Sequence, residues 1–297
     1  MSSRALYLGL PLGALCLLAD GIELAGACIS RPDQPGMRRL RRTLGEGALL
    51  LERPDLSDPA IVSALAALAP DLIVSWFWTK RIPEAVLALA PFAFNVHPSL
   101  LPRHRGPDPY FWAIACGDRI TGVTAHVLTA GYDEGPILEQ RERAIPDDAD
   151  AWRLARILDR PSLALMREIA GRYARGEALP ATPQDESEAT PAPEPSDDDC
   201  ELLWSEDTAW VLRRVRAAAP WPGAFTEYGG ETIVITRASE AEKPAGLRRG
   251  EAARDAEGVL IATGDGAVRV LEARAEHEER PLRGADVARL FPGLPRV

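Results

Sequence analysis

Long apolar runs are missing from this chain of 297 residues. No stretch approaches the ~20 consecutive apolar residues of a membrane-spanning helix, so no membrane partner is expected. Cysteine is scarce: Cys16, Cys28, Cys116 and Cys200 lie far apart, and none forms a C-x-x-C pair. That spacing argues against a zinc site and fits a reducing cytoplasm. An excess of positive charge is also lacking. Lys and Arg total 34 against 44 Asp and Glu, for a net charge of −10 and a pI near 5.1. A broadly basic nucleic-acid binder is thereby excluded and DNA is not an expected partner, although a local basic patch remains open. Only 6% of residues are aromatic, there is no internal repeat, and a chain this long needs no disulfide or metal staple for its core.

The N-terminal segment has a short charged start, an apolar run over residues 5–19, and a faint lipoprotein-like box ending at Cys28. Gly9, Pro11 and Gly13 interrupt the run, and Asp20 and Glu23 precede the box. The segment therefore reads as part of the fold rather than an export signal.

The first half alternates strand-like and helix-like pieces. Residues 5–10, 22–29, 71–76 and 92–96 are strand-like, whereas 13–19, 59–68 and 82–90 are helix-like. This β-α-β order predicts an α/β domain on an open parallel sheet, with ligands bound beyond the carboxyl ends of its strands. Residues 152–175 read as a long helix divided at Pro161. Composition then shifts to Pro, Ala, Thr and acid. Such a stretch cannot bury enough to fold alone, so it reads as a linker and the expected protease-sensitive site. A smaller module of short strands and tight turns follows, which predicts a small β-barrel. The expected division is 1–179, a linker at 180–202, and 203–297.

Chemistry concentrates in Phe94-Asn95-Val96-His97-Pro98-Ser99-Leu100-Leu101-Pro102. Asn95 and His97, two apart at a strand end, point the same way because strand side chains alternate. Arg105-Gly106 follows, and Gly131-Tyr132-Asp133-Glu134-Gly135 places a carboxylate in a glycine-flanked loop. Asn, His and Asp supply an amide, a group that titrates near neutrality and a carboxylate, the residue types of polar and acid–base chemistry. Each residue taken singly has a structural reading, as turn former or satisfied core group. His97, His104, Asp108 and His126 as a metal site is a weaker alternative, and no metal is expected. Trp76, Phe77 and Trp78 fit either a core or the wall of a ligand pocket.

The Asn-x-His-Pro-Ser-Leu-Leu-Pro run, the Arg-Gly pair and the Asp133 loop resemble the folate-dependent formyltransferase family. Further matches fall within the methionyl-tRNA formyltransferase branch and span nearly the whole chain. They include Arg31-Pro32-Asp33, Pro183-Gln184-Asp185-Glu186-Ser187, Pro220-Trp221-Pro222-Gly223-Ala224 and Thr263-Gly264-Asp265-Gly266. The resemblance implies a Rossmann-like formyltransferase domain followed by an OB-like barrel. It also implies 10-formyltetrahydrofolate as co-substrate and an amine as acceptor. By resemblance Asn95, His97 and Asp133 are catalytic, and Ser99, Leu100, Leu101 and Pro102 form the folate-contacting loop.

The acceptor is less legible. Arg38, Arg39, Arg41 and Arg42 form a basic patch suited to tRNA phosphates, and Arg213, Arg214 and Arg216 could add to it. Against tRNA stand Glu194, Asp197, Asp198, Asp199 and Glu201, whose carboxylates repel phosphate. The segment Pro107-Asp108-Pro109-Tyr110-Phe111-Trp112 departs from the small residues usual there, and Asp108 and Tyr110 are candidate acceptor contacts. A small amine, such as an amino sugar or a hydroxylamine side chain, is therefore the alternative acceptor. A folate- or RNA-binding protein that has lost catalysis is disfavoured by the intact Asn95, His97 and Asp133.

Overall fold

The computed structural model describes residues 4–44 and 48–297. It divides into two compact units. The first holds the chain up to Pro109 together with Ile120–Ala144 and Arg156–Pro193; the second holds Tyr110–Arg119, Ile145–Ala155 and Glu194–Val297.

The first unit begins β1 (Arg4–Gly9), α1 (Pro11–Ala19), β2 (Glu23–Ile29), α2 (Met37–Thr43), β3 (Leu49–Glu52) and α3 (Pro59–Ala66). It continues with β4 (Leu72–Trp76), α4 (Glu84–Leu87) and β5 (Phe92–His97). After α5 (Pro109–Ala115), which from Tyr110 on belongs to the second unit, β6 (Ile120–Val127) and β7 (Ile137–Ala144) complete a seven-stranded sheet of order β3-β2-β1-β4-β5-β6-β7. The strands β1 to β5 pair in parallel, and β6 and β7 are antiparallel additions. Every residue of β4 is buried, as a central strand covered on both faces requires. Chain order reverses between β1 and β4, which makes the carboxyl end of these strands the switch point where ligands gather.

Helix α6 (Ala151–Ala174) runs through Pro161 without a break. The expected division is thus absent. Leu158, Leu165, Met166, Ile169 and Ala170 are fully buried along it. That burial, at ~2 kcal/mol for each large apolar side chain, outweighs the ~3 kcal/mol cost of an internal proline.

The Pro-rich segment is not a free spacer over its first part. Thr182 bridges Ile137 in both directions at 2.8 Å. Thr190 and Ala192 bracket Arg105: the Arg105 N–H donates to the Thr190 carbonyl at 2.9 Å and the Ala192 N–H donates to the Arg105 carbonyl at 2.7 Å. Composition misses this strap because main-chain pairing, not apolar burial, secures it.

In the second unit, α7 (Asp197–Cys200) is closed by a capping box between Ser196 and Asp199. Next come α8 (Thr208–Ala218), β8 (Ala224–Tyr228), β9 (Glu231–Ala241), β10 (Ala252–Arg254), β11 (Val259–Ala262), β12 (Ala267–Ala275) and β13 (Leu282–Arg283). They form an antiparallel sheet of order β10-β11-β12-β9-β8, with β13 on β12. Register shifts in β12 increase its bend, as a small barrel-like domain requires. Asp265, in the expected Gly264–Gly266 turn, accepts from the Thr208 N–H at 2.8 Å and so ties the turn to the start of α8.

Candidate active site

Asn95, His97 and His126 meet where β5 and β6 pair. Asn95 and His126 are register partners on the two strands, as are His97 and Thr124. Pairing therefore places the two imidazoles and the Asn95 amide on adjoining strands. Asp133 comes from the β6–β7 loop at φ +52°, a left-handed conformation that costs a non-glycine residue about 1–3 kcal/mol. Gly135 permits the loop's approach, since a Cβ there would lie 1.7 Å from the Val127 carbonyl oxygen. At Gly106, with φ +130°, a Cβ would meet the Ala192 carbonyl oxygen at 2.6 Å.

The polar geometry is specific. The His97 Nε2–H donates to the His104 carbonyl at 2.8 Å, because a carbonyl can only accept. That fixes the proton on Nε2 and turns Nδ1 toward Asp133 Oδ2, 3.4 Å away. Asp133 Oδ2 also accepts from the Gly106 N–H at 3.0 Å. Asp133 Oδ1 lies 3.3 Å from His126 Nε2. The Asn95 amide nitrogen lies 3.2 Å from His126 Nε2 and 3.5 Å from Asp133 Oδ1. His126 Nδ1 lies 3.0 Å from the Val127 carbonyl, and its Nε2 is within reach of both the Asn95 amide and Asp133 Oδ1.

Burial sets the protonation states. His97 and Asp133 expose only 5% and 12% of their side chains. Burial pushes the His97 pKa below its ordinary 6.5, against the opposing pull of Asp133 and the His104 carbonyl, so the imidazole is neutral at pH 7. Burial alone would raise the Asp133 carboxyl. Attraction to the positive charge that the His97 ring carries when protonated, the His126 contact and the Gly106 N–H outweigh it and hold the group below the usual carboxylate range. A neutral base, an adjacent anion and an oriented amide can together polarise a carbonyl and carry a proton.

The Ser99–Pro102 loop is pinned from within. The Ser99 hydroxyl donates to the Arg103 carbonyl at 2.7 Å, and Ser99 and Leu101 are buried. Gln140 and Thr124 hold the loop's backbone: Gln140 donates to the Leu101 carbonyl at 2.8 Å and Thr124 to the Ser99 carbonyl at 2.7 Å. Leu100 and Pro102 stay partly exposed. Trp76 is core, its indole N–H on the Ser162 hydroxyl at 2.9 Å, whereas Trp78 lines a cavity of about 450 Å³ with Leu56, Lys80, Arg81 and Ala130.

The arginine patch is elsewhere. Arg38, Arg39, Arg41 and Arg42 are exposed on α2, after β2, and three strand positions separate β2 from β5. Arg41 is paired with Glu52. Asp108 sits in the first unit, its N–H on the Ala192 carbonyl at 3.1 Å, and Tyr110 begins the second unit. Arg214 and Arg216 are engaged within the second unit. The Arg214 guanidinium lies 5.0 Å from the Trp210 ring centre, and Arg216 donates to the Ala149 carbonyl at 3.4 Å. Among the described residues no cluster of three or more His, Cys, Asp or Glu is arranged to hold a metal ion, and no helix is long and apolar enough to cross a membrane.

An α/β sheet carrying an amide beside a buried His–Asp pair at its strand ends has the groups that carbonyl chemistry uses, and the sequence comparisons give the family. Residues 25–168 match the family described as formyl transferase, and 196–291 match the formyl transferase C-terminal domain. A methionyl-tRNA formyltransferase of Roseiflexus castenholzii is 37% identical over 300 residues, covering 96% of this chain and 95% of the relative. HypX from Aquifex aeolicus, solved with tetrahydrofolic acid, superposes with a TM-score of 0.67 at 24% identity, over 100% of this chain and 49% of HypX. A Shewanella sugar N-formyltransferase shares the fold with a TM-score of 0.63 at 16% identity, over 82% of this chain and all of that one. The chain belongs to the formyl transferase family and is an enzyme of formyl-group transfer.

Proposed function

We propose that this enzyme moves the formyl group of 10-formyltetrahydrofolate to the amino group of methionyl-tRNA, in the cytoplasm. The convergence of Asn95, His97 and Asp133 carries the reading, supported by full-length similarity to methionyl-tRNA formyltransferases. The neutral acceptor amine attacks the formyl carbon, forming the new C–N bond and placing negative charge on the formyl oxygen. One Asn95 N–H is directed at His126, and the other, which makes only a long 3.5 Å contact with Asp133 Oδ1, turns to that oxygen, a contribution of ~3 kcal/mol for such a donor. The proton released by the amine passes to His97 Nδ1, and Asp133 stabilises the imidazolium so formed. Collapse breaks the bond from carbon to folate N10, and N10 takes the proton back from His97. The Ser99–Pro102 loop offers Leu100 and Pro102 to the folate, and the cavity beside Trp78 suits the pterin ring.

Arg38, Arg39 and Arg42 suit tRNA phosphates. A small amine is the second reading, favoured by the net charge of −10. Mass-spectrometric turnover with 10-formyltetrahydrofolate, testing methionyl-tRNA beside amino sugars and hydroxyornithine, separates the two. Turnover of a free amine with none of methionyl-tRNA would sink the first.

A further inference from the structure

We propose that Gln184, on the strap, is a positioning residue that holds the Asp133 carboxylate against His97. The inference rests on the proton-handling role of Asp133 given above.

The Gln184 amide is fully occupied. Its Nε2 donates to the carbonyls of Asp133 and Gly135, each at 2.7 Å. Its Oε1 accepts from Arg105 Nε at 3.0 Å and Nη2 at 2.9 Å. Arg105 also pairs with Glu186 and is bracketed by Thr190 and Ala192, so this anchor is itself fixed. The next residue, Gly106, gives its N–H to Asp133 Oδ2 at 3.0 Å.

Asp133 is thus gripped at both ends, its carbonyl by Gln184 and its carboxylate by Gly106, and both grips trace back to one dipeptide. The left-handed φ of +52° explains the need. A non-glycine residue leaves that region unless its surroundings hold it. Relaxation would swing the carboxylate away from His97 Nδ1. Gln184 lies between the two family-matched spans, in a segment that composition marks as a spacer.

Gln184→Glu keeps the size and the Arg105 interaction but sets a carboxylate oxygen against two carbonyls. In the full-length enzyme kcat should fall by ~10²-fold, the loss that a shift of about 1 Å brings. The folate KM should move less than about threefold, since folate binding is untouched. The acid limb of the kcat profile should move to lower pH, because His97 loses the carboxylate that raises its pKa. Glu188→Gln, at an exposed carboxylate of the same strap, should leave both readouts unchanged. If Gln184→Glu fails to fold, Gln184→Met, which lacks the donors without adding charge, takes its place in the same measurements.

The deciding measurement is a double-mutant cycle. In an Asp133→Asn background, Gln184→Glu should cost little more. An equal further loss there, or wild-type kcat and pH midpoint in the single variant, would overturn the proposal. Full activity of Asp133→Asn alone would instead refute the role of Asp133, which is a separate failure.

Discussion

Asp133→Asn tests the proton pathway most directly. The carboxylate lies 3.4 Å from His97 Nδ1, with both side chains largely buried. At an effective dielectric constant of ~20, a unit pair at that distance interacts by about 5 kcal/mol. Asparagine removes this attraction for the imidazolium but also relieves the cost of burying an anion, so the net loss should be about 3 kcal/mol, or ~10²-fold in kcat. The sign of the pH effect follows from burial. His97 already titrates below 6.5, so activity should rise with pH through a midpoint under that value. Without the anion, the midpoint should move lower still. The assay is single-turnover formylation of methionyl-tRNA by 10-formyltetrahydrofolate between pH 5 and 8, with folate affinity measured separately. A rate within about threefold of wild type, or a midpoint that stays put, would refute the assignment.

Asn95→Ala should lower kcat by ~10²-fold while folate binding persists; equilibrium binding beside turnover checks this, and a purely structural role would instead appear as lost folate affinity. His97 also links stability to pH. Its folded pKa is depressed, so the unfolded chain takes up this proton first, and acidification below about 6.5 favours unfolding. Thermal melts of wild type and His97→Gln at pH 7.5 and 5.5 should show a smaller pH-dependent loss in the variant, and identical losses would contradict the linkage. Replacing Arg38, Arg39 and Arg42 with Ala should raise the methionyl-tRNA KM and lower the salt slope by about 0.9 for each phosphate no longer neutralised, with folate KM unchanged. An unaltered salt slope would remove this patch from the tRNA surface.

Much of the site is legible in the sequence because it is local there. Asn95 and His97 alternate on one strand, and the glycines around Asp133 mark its loop. The parallel strands β1, β2, β4 and β5 are legible from their apolar runs. The short strands β3, β10 and β13 are not, since two to four residues carry little periodicity. The strap escapes a sequence reading for a different reason: its Pro and acidic residues signal disorder, while its hold depends on backbone bridges to residues far away in the chain. One usable signal is the scarcity of carboxamides. The chain has a single Asn, Asn95, and three Gln, and of these four Asn95, Gln140 and Gln184 all bind groups in or beside the site. A carboxamide donates and accepts without charge. In a chain that otherwise does without it, its few positions mark where neutral hydrogen bonding is needed.

The carboxylates of residues 180–202 weigh against tRNA in the sequence, yet several are committed to local structure. Asp185 caps the Ser187 turn, Glu186 pairs with Arg105, and Asp199 closes the capping box with Ser196. Their presence therefore has a structural cause that is independent of the acceptor. Glu188, Glu194, Asp197, Asp198 and Glu201 remain exposed, so repulsion of phosphate, where it acts, comes from these five. On the basic side the same sorting applies: the exposed Arg41 is paired with Glu52 and Arg214 lies over aromatic rings, which leaves Arg38, Arg39 and Arg42 as the exposed cations of α2 outside such pairs among the described residues. The choice between a tRNA and a small amine thus reduces to how these few exposed charges act, and the salt dependence of the acceptor KM reads them directly, since a small uncharged amine gives almost no slope where bound phosphates give a steep one.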